Sequence, residues 1–299
     1  MELRHLRSFI AVAERLSFIQ AARFLHLSQP ALSAQIQALE DELGVRLLER
    51  DRRSVRLSAA GKVFLDQARA TLAQADAAAE SARRAAAGEL GILRIGFVAS
   101  AAMQLVPSIV LAYRRKYPGV KLELQNLRTV LQLSSLQDRS IDVGYIRLPA
   151  LGKDLMVTRV HREPFALIVP RTHPLAREQS FDLKALQDEP FVAYARRWAP
   201  GFYDRWVSIF TQAGFSPQVV QETGDMYTAI ALVAAGVGVA VVPSGLVRGR
   251  AQEVSVKRLP GKVLSEIGVA ARAGDSSPLV KKFLELSMLL GRKMTAGLL

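Results

Sequence analysis

Between residues 17 and 56 the apolar positions form two short helical stripes and then give way to a basic segment. Phe18, Ala21, Ala22 and Leu25 recur at helical spacing, and after Ser28 a second stripe runs through Leu32, Ile36, Leu39 and Leu43. Ser28 offers a side-chain oxygen to free backbone N–H groups and Pro30 suits a first turn, so the second helix starts there. Gln29, Ser33, Gln35 and Gln37 lie off the stripe and give it a polar, uncharged outer face. The small side chains of Ala21 and Ala22 allow the close crossing of a helix-turn-helix, and Leu3, Leu6, Ile10 and Ala13 predict a third, supporting helix. From 46 to 56, Arg46, Arg50, Arg52, Arg53 and Arg56 face only Glu49 and Asp51, which predicts a basic wing. Together these elements point to DNA.

The next apolar stripe, Phe64, Ala68, Leu72, Ala75, Ala79, Ala82 and Ala86, predicts one long alanine-rich helix from 58 to 87. Such a helix cannot bury its stripe alone. Either the rest of the chain covers it or a second copy does, and dimerisation is the natural solution. Gly88 and Gly91 mark a hinge. Beyond it, apolar runs at 92–98, 121–127, 141–146, 165–170, 190–194, 237–242 and 266–272 alternate with helical patterns, which predicts an α/β domain with a largely parallel sheet. Two such sheets, joined by crossing strands, would leave a cleft between them. The uncharged run from 226 to 247 is long enough to raise a membrane span, but Gly236, Gly238, Pro243 and Gly245 interrupt it. Its valines between 237 and 242 predict a buried helix followed by a buried strand.

Charge changes this picture little. The 299 residues carry a net +13, yet the first 90 hold 13 Lys and Arg against 11 Asp and Glu, leaving 27 against 16 beyond them. The excess therefore lies outside the predicted DNA-binding head, where it attracts either phosphate or a small anion. With no cysteine, disulfides, thiolate metal sites and thiol redox sensing are excluded. The N-terminus has helical spacing rather than the pattern of a secretion signal, so a cytoplasmic location is expected. His5, His26, His161 and His173 are scattered, there is no G-x-S-x-G elbow or P-loop lysine, and Gly236-Val-Gly238 precedes its strand. No enzyme activity, metal or cofactor is expected.

Ligands of open parallel sheets bind beyond the carboxyl ends of strands, near helix N-termini. Ser100 follows the run at 92–98 and opens the helix containing Pro107, Thr129 follows the run at 121–127, and Arg147 ends the run at 141–146. Hydroxyls and a guanidinium at one sheet edge suit a carboxylate. Simple helix capping by Ser100 and Thr129, and a surface ion pair at Arg147, are the alternatives. Met226 opens a later helix, where it either lines the same cleft or fills the core.

The pattern A-A-x-x-L-x-x-S-Q-P-A-L-S-x-Q-I-x-x-L-E-x-x-L-G-x-x-L-L-x-R, from Ala21 to Arg50, resembles the winged-helix head of LysR-type transcriptional regulators. The resemblance implies a major-groove helix presenting Ser28, Gln29, Pro30, Ser33 and Gln35, with Arg50, Arg52 and Arg53 reaching DNA from the wing. It further implies a linker helix that pairs two heads, and a periplasmic-binding-protein-like effector domain of two Rossmann-like subdomains. G-F-V-A-S, L-R-T and G-Y-I-R-L are similar to the branch of the family that answers to muconate and benzoate, in aromatic catabolism. There the residues matching Ser100, Thr129 and Arg147 contact effector carboxylate, and those matching Pro200 and Phe202 lie against the effector, with Phe202 covering its apolar face.

The expected division is a winged helix-turn-helix at 1–58, a linker and dimerisation helix at 59–88, and an effector-binding domain at 91–299. Within the last, 91–161 with 266–299 form one subdomain and 162–265 the other. The expected function is a homodimeric or homotetrameric regulator on an interrupted palindrome in double-stranded DNA. A small carboxylate, aromatic-derived, would alter its action on promoters and on RNA polymerase. The alternative is a ligand-independent repressor or architectural protein whose second domain only assembles oligomers. Arg147→Ala is expected to lose the effector response while keeping folding and DNA binding.

Overall fold

Ser17 and Ser28 set the starts of two helices, their hydroxyls accepting the backbone N–H of Gln20 and Ala31, each at 3.3 Å. In the computed structural model, which describes all residues except 52, 53, 151, 251, 262 and 296–299 and the side chain of 295, the chain forms two units, Met1–Arg84 and Ala85–Leu299.

The first unit contains α1 (Leu3–Arg15), α2 (Phe18–Phe24) and α3 (Gln29–Leu43), the last closed by Gly44 in the left-handed region at φ 68°. The predicted stripe faces inward: Leu32, Ile36 and Leu39 pack with Leu6, Phe9, Ala21 and Ala22 in one core. An antiparallel hairpin of β1 (Leu48–Arg50) and β2 (Val55–Leu57) follows. It is anchored by the buried Glu40 on α3, whose Oε1 accepts the N–H of Leu47 at 2.7 Å and of Leu48 at 2.9 Å. The long helix α4 (Ala59–Ala86) begins against this hairpin. Gly61 makes the approach possible, since a Cβ there would lie 2.0 Å from the Leu47 carbonyl oxygen. Ala68 is buried and Phe64, Leu65 and Leu72 pack on the same core, with the Phe64 ring edge-on to Phe9 at 5.3 Å. From 76 to 86 every residue of α4 is exposed.

The second unit is built on β3 (Gly91–Phe97), β4 (Val120–Asn126), β5 (Val143–Leu148), β6 (Leu155–Val169), β7 (Pro190–Tyr194), β8 (Gln218–Thr223), β9 (Ala240–Pro243), β10 (Ser255–Arg258) and β11 (Leu264–Arg272). Between and after them lie α5 (Ala99–Gln104), α6 (Val106–Lys116), α7 (Thr129–Gln137), α8 (Pro200–Thr211), α9 (Met226–Ala234) and α10 (Pro278–Thr295). The strands differ from the two largely parallel sheets expected. One seven-stranded sheet runs in the order β10-β6-β11-β5-β3-β4, with β9 also on β6. β3 with β4 and β5, and β7 with β8, pair in parallel, and Phe191 of β7 makes a parallel bridge to Val239, whereas β11 and β6 make antiparallel ladders.

The 15-residue β6 pairs with β11 along its first part and with β9 and β10 along its last, so it belongs to both halves of the unit. Each half has its own core. One gathers Leu93, Ile95, Tyr113, Tyr145 and Phe283, the other Phe165, Phe191, Phe202, Trp206 and Phe210. The uncharged run at 226–247 folds as α9 and then β9, and among the described residues no helix is long and apolar enough to cross a membrane. The single helix expected from Ser100 through Pro107 is two, because Pro107 in the first turn of α6 has no N–H to continue α5.

Candidate functional site

At the start of α3, Gln29, Pro30 and Ala31 are exposed, while Ser28 is committed as the cap. Two of the residues expected to read DNA also make contacts within the head. Gln35 is half-buried, its Oε1 accepting the hydroxyl of buried Ser8 on α1 at 2.5 Å. Gln35 lies less than two turns into α3, on the side toward α1, so it ties two helices together. Arg50 folds back from β1: its Nη1 donates to Ser33 Oγ at 3.2 Å, its Nη2 lies 3.7 Å from Glu40 Oε2, and its guanidinium sits 4.5 Å over the Phe18 ring. The uncompensated second oxygen of Glu40 draws it there, and Ser33 is engaged by the same contact. Arg52 and Arg53 lie outside the described residues.

In the second unit, Arg147 sits near the end of β5 and is only 2% exposed. Its backbone N–H donates to Thr129 Oγ1 at 3.1 Å, and its Nη1 to Ser265 Oγ at 2.5 Å. Glu163 Oε1, also buried, lies 3.8 Å from Nη1. That carboxylate is held from its other side by Gln104 Nε2 at 3.1 Å and by the Gly245 N–H at 2.6 Å. Burial pulls the Arg147 pKa down and Glu163 opposes it; the guanidinium stays charged. Burial likewise holds neighbouring His161 below the usual histidine range, so Glu163 serves one cation at neutral pH. Arg147 Nη2 is buried with no hydrogen-bond partner among the described residues.

That atom belongs to a side chain on the wall of a cavity of about 550 Å³. Ser100 and Met226 line it with Arg147, among apolar groups that include Val98, Leu127 and Leu131. The capping alternative for the two hydroxyls does not hold. Val98 and Arg128 occupy the cap positions of α5 and α7, and Thr129 is spent on the Arg147 backbone. Thr129 thus positions Arg147 from beneath the cavity wall.

Pro200 and Phe202 do not line the cavity. Phe202 is 1% exposed, packed 5.8 Å from Phe165 and 6.2 Å from Tyr194, with its ring 5.2 Å from the Arg147 guanidinium carbon. It supports the cation from the core side. Pro200 is exposed at the first turn of α8, where Gly201 packs so closely on Pro149 that a Cβ would lie 2.2 Å from the carbonyl oxygen.

Among the wall residues that the sequence reading missed are Arg128, Tyr194, Asp225 and Tyr227. Arg128 lines the cavity, donating from Nε to the Gly224 carbonyl at 3.1 Å and stacking at 4.3 Å on Trp198. Asp225 caps α9 by accepting the N–H groups of Tyr227 and Thr228, each at 2.9 Å. Burial alone would raise its carboxyl, but the Thr228 and Tyr227 hydrogen bonds and the Arg128 charge hold it below the usual range. Signals existed for two of these. Asp225 stands one residue before an apolar helix, and Arg128 lies beside Thr129 in the motif already singled out. The two tyrosines carry no pattern that separates them from core aromatics.

Residues 3–62 match the family described as bacterial regulatory helix-turn-helix protein, lysR family, and residues 86–288 match the LysR substrate binding domain. The chain is 40% identical over 288 residues to the HTH-type transcriptional regulator AlsR of Bacillus subtilis, covering 96% of this chain and 95% of that one. It is 37% identical over 246 residues to the HTH-type transcriptional regulator BenM of Acinetobacter baylyi, covering 82% and 81%. Among solved structures, full-length CbnR complexed with its target DNA superposes with a TM-score of 0.84 at 29% identity, over 97% of this chain and 100% of that one. The matches cover the head and the second unit alike, and the chain belongs to the LysR family of DNA-binding transcriptional regulators, with an N-terminal winged helix-turn-helix and an α/β effector-binding domain.

Proposed function

We propose that this regulator is governed by a small carboxylate held in the cavity at Arg147. The observation that carries the reading is the buried, unpartnered Nη2 of Arg147 on the cavity wall. A buried donor without an acceptor is costly, and a carboxylate supplies the acceptor together with the opposite charge. Ser100 stands on the same wall as a second donor, and the apolar lining suits a hydrocarbon or aromatic body. The likeness of G-F-V-A-S, L-R-T and G-Y-I-R-L to the muconate and benzoate branch favours aromatic-derived acids. The Arg147 donor grips a carboxylate whatever body it carries and the lining is apolar, so aliphatic acids belong in the same panel.

On this reading residues 1–58 bind DNA, 59–88 join the heads and 91–299 sense the effector. The exposed alanine-rich end of α4 is the surface for pairing with a second copy, giving a dimer or a homotetramer on an interrupted palindrome. Effector between the halves that share β6 would favour one placement of them. That would change how the heads bend the operator and engage RNA polymerase in the cytoplasm. Saturating carboxylate is expected to change footprint length or operator bending; an unchanged footprint and bend would instead favour a repressor that needs no ligand.

Gln29, exposed at the start of α3, is the first candidate for reading a base edge. Gln29→Ala is expected to reduce discrimination among operator variants by about 1–3 kcal/mol, whereas Arg53→Ala weakens all sequences alike and flattens the salt dependence. Fluorescence anisotropy on single-base operator variants at several salt concentrations checks both. A uniform loss for the two variants would refute the division of roles.

A further inference from the structure

Arg147 Nη2 is not the only orphan on the cavity wall. The Tyr227 hydroxyl is also buried and has no hydrogen-bond partner among the described residues, while its side chain lines the same cavity. Arg147 Nη2 and the Tyr227 hydroxyl are two separate donors for one ligand to satisfy. Tyr227 is held in the first turn of α9, where its backbone N–H donates to Asp225 Oδ1, and the Arg250 guanidinium covers its ring at 5.4 Å. Burial raises the phenol above its usual pKa, so the hydroxyl keeps its proton and presents a donor.

The charges around it restrict what the acceptor can be. Asp225, ionised, lines the cavity next to Tyr227 and would repel a second carboxylate. Arg128, the other cation on the wall, is tied to the Gly224 carbonyl and the Trp198 face, and its charge already acts on Asp225. We infer that the effector is a monocarboxylate bearing a second, uncharged oxygen, a hydroxyl or a carbonyl, which accepts the Tyr227 O–H while Arg147 grips the carboxylate. This rests on the carboxylate reading above and adds the specificity: a site with a buried donor rejects the analogue that lacks the matching oxygen.

The test is calorimetric titration of the full chain with matched acids: butanoate, 2-oxobutanoate, 2- and 3-hydroxybutanoate and succinate, then benzoate, the three hydroxybenzoates and phthalate. At least one hydroxy or oxo acid is expected to bind about tenfold more tightly than its plain parent and than the diacid. Tyr227→Phe is expected to erase that preference and leave the plain acid unchanged. Asp225→Asn, which still caps α9, is expected to raise affinity for the diacid. Unchanged melting of the ligand-free variants confirms their fold. A preference that survives in Tyr227→Phe, or a plain acid or diacid that binds the native protein most tightly, would overturn the inference. Failure of every acid to bind would overturn the carboxylate reading itself and this one with it.

Discussion

Arg147→Ala is expected to abolish carboxylate binding and to destabilise the effector-binding unit by about 3 kcal/mol. The loss of binding follows from removing the one buried cation with a free donor on the cavity wall. The loss of stability follows from Glu163. That carboxylate is buried 3.8 Å from Arg147 Nη1, and without the guanidinium it keeps only the Gln104 and Gly245 donors. The sequence alone led to the expectation that this variant keeps its fold, because it placed Arg147 at a strand end without its buried partner Glu163; the 2% exposure of Arg147 beside that carboxylate is what makes a loss of stability the expected result. Adding Glu163→Gln is expected to restore part of the lost stability and none of the binding. Thermal melts and titrations of the two single variants and the double variant separate the roles. Equal stability of Arg147→Ala and the native protein would show that the pair contributes nothing to the fold.

Ile36→Ala is expected to destabilise the head by about 3 kcal/mol, within the range for emptying a fully buried aliphatic position. Ile36 lies on α3 in the core shared with Leu6, Phe9, Leu32 and Leu39, so the cavity opens beneath the helix that presents Gln29. Operator binding should fall with it. Because residues 1–84 and 85–299 form separate units, the carboxylate-dependent stabilisation of the second should persist. Calorimetry is expected to resolve a lowered transition for the head and an unshifted one for the remainder. A single transition lowered throughout would mean that the two units unfold together.

The head was legible because its periodicity and its caps agree: Ser28, the Leu32 to Leu39 stripe and Gly44 each dictate local structure without help from distant residues. The contacts that Gln35 and Arg50 make within the head were not legible, for the opposite reason, since their partners Ser8 and Glu40 are set by tertiary crossing and not by spacing. In the second unit, the apolar runs located most strands but not their direction. A strand buried on both faces, such as EIGVAAR in β11, reads the same in either orientation. β8 and β10 escaped because QVVQET and SVKR are largely polar and exposed. Ser100, Thr129 and Arg147 were placed from strand ends, and the structure gathers them, with Thr129 supporting Arg147 instead of facing the cavity. Glu163 carried a signal that went unused: a charge within a run that becomes wholly apolar two residues later has to be paired.

The central claim is that a carboxylate binds at Arg147 and stabilises the effector domain. Thermal denaturation of the full chain across a panel of aliphatic and aromatic acids tests it most directly, repeated on the double variant carrying Arg147→Gln and Glu163→Gln. A bound acid at a hundred times its dissociation constant is expected to add about 2.7 kcal/mol to the native protein and nothing to the variant. No stabilisation by any acid, or the same stabilisation in both proteins, would contradict the account.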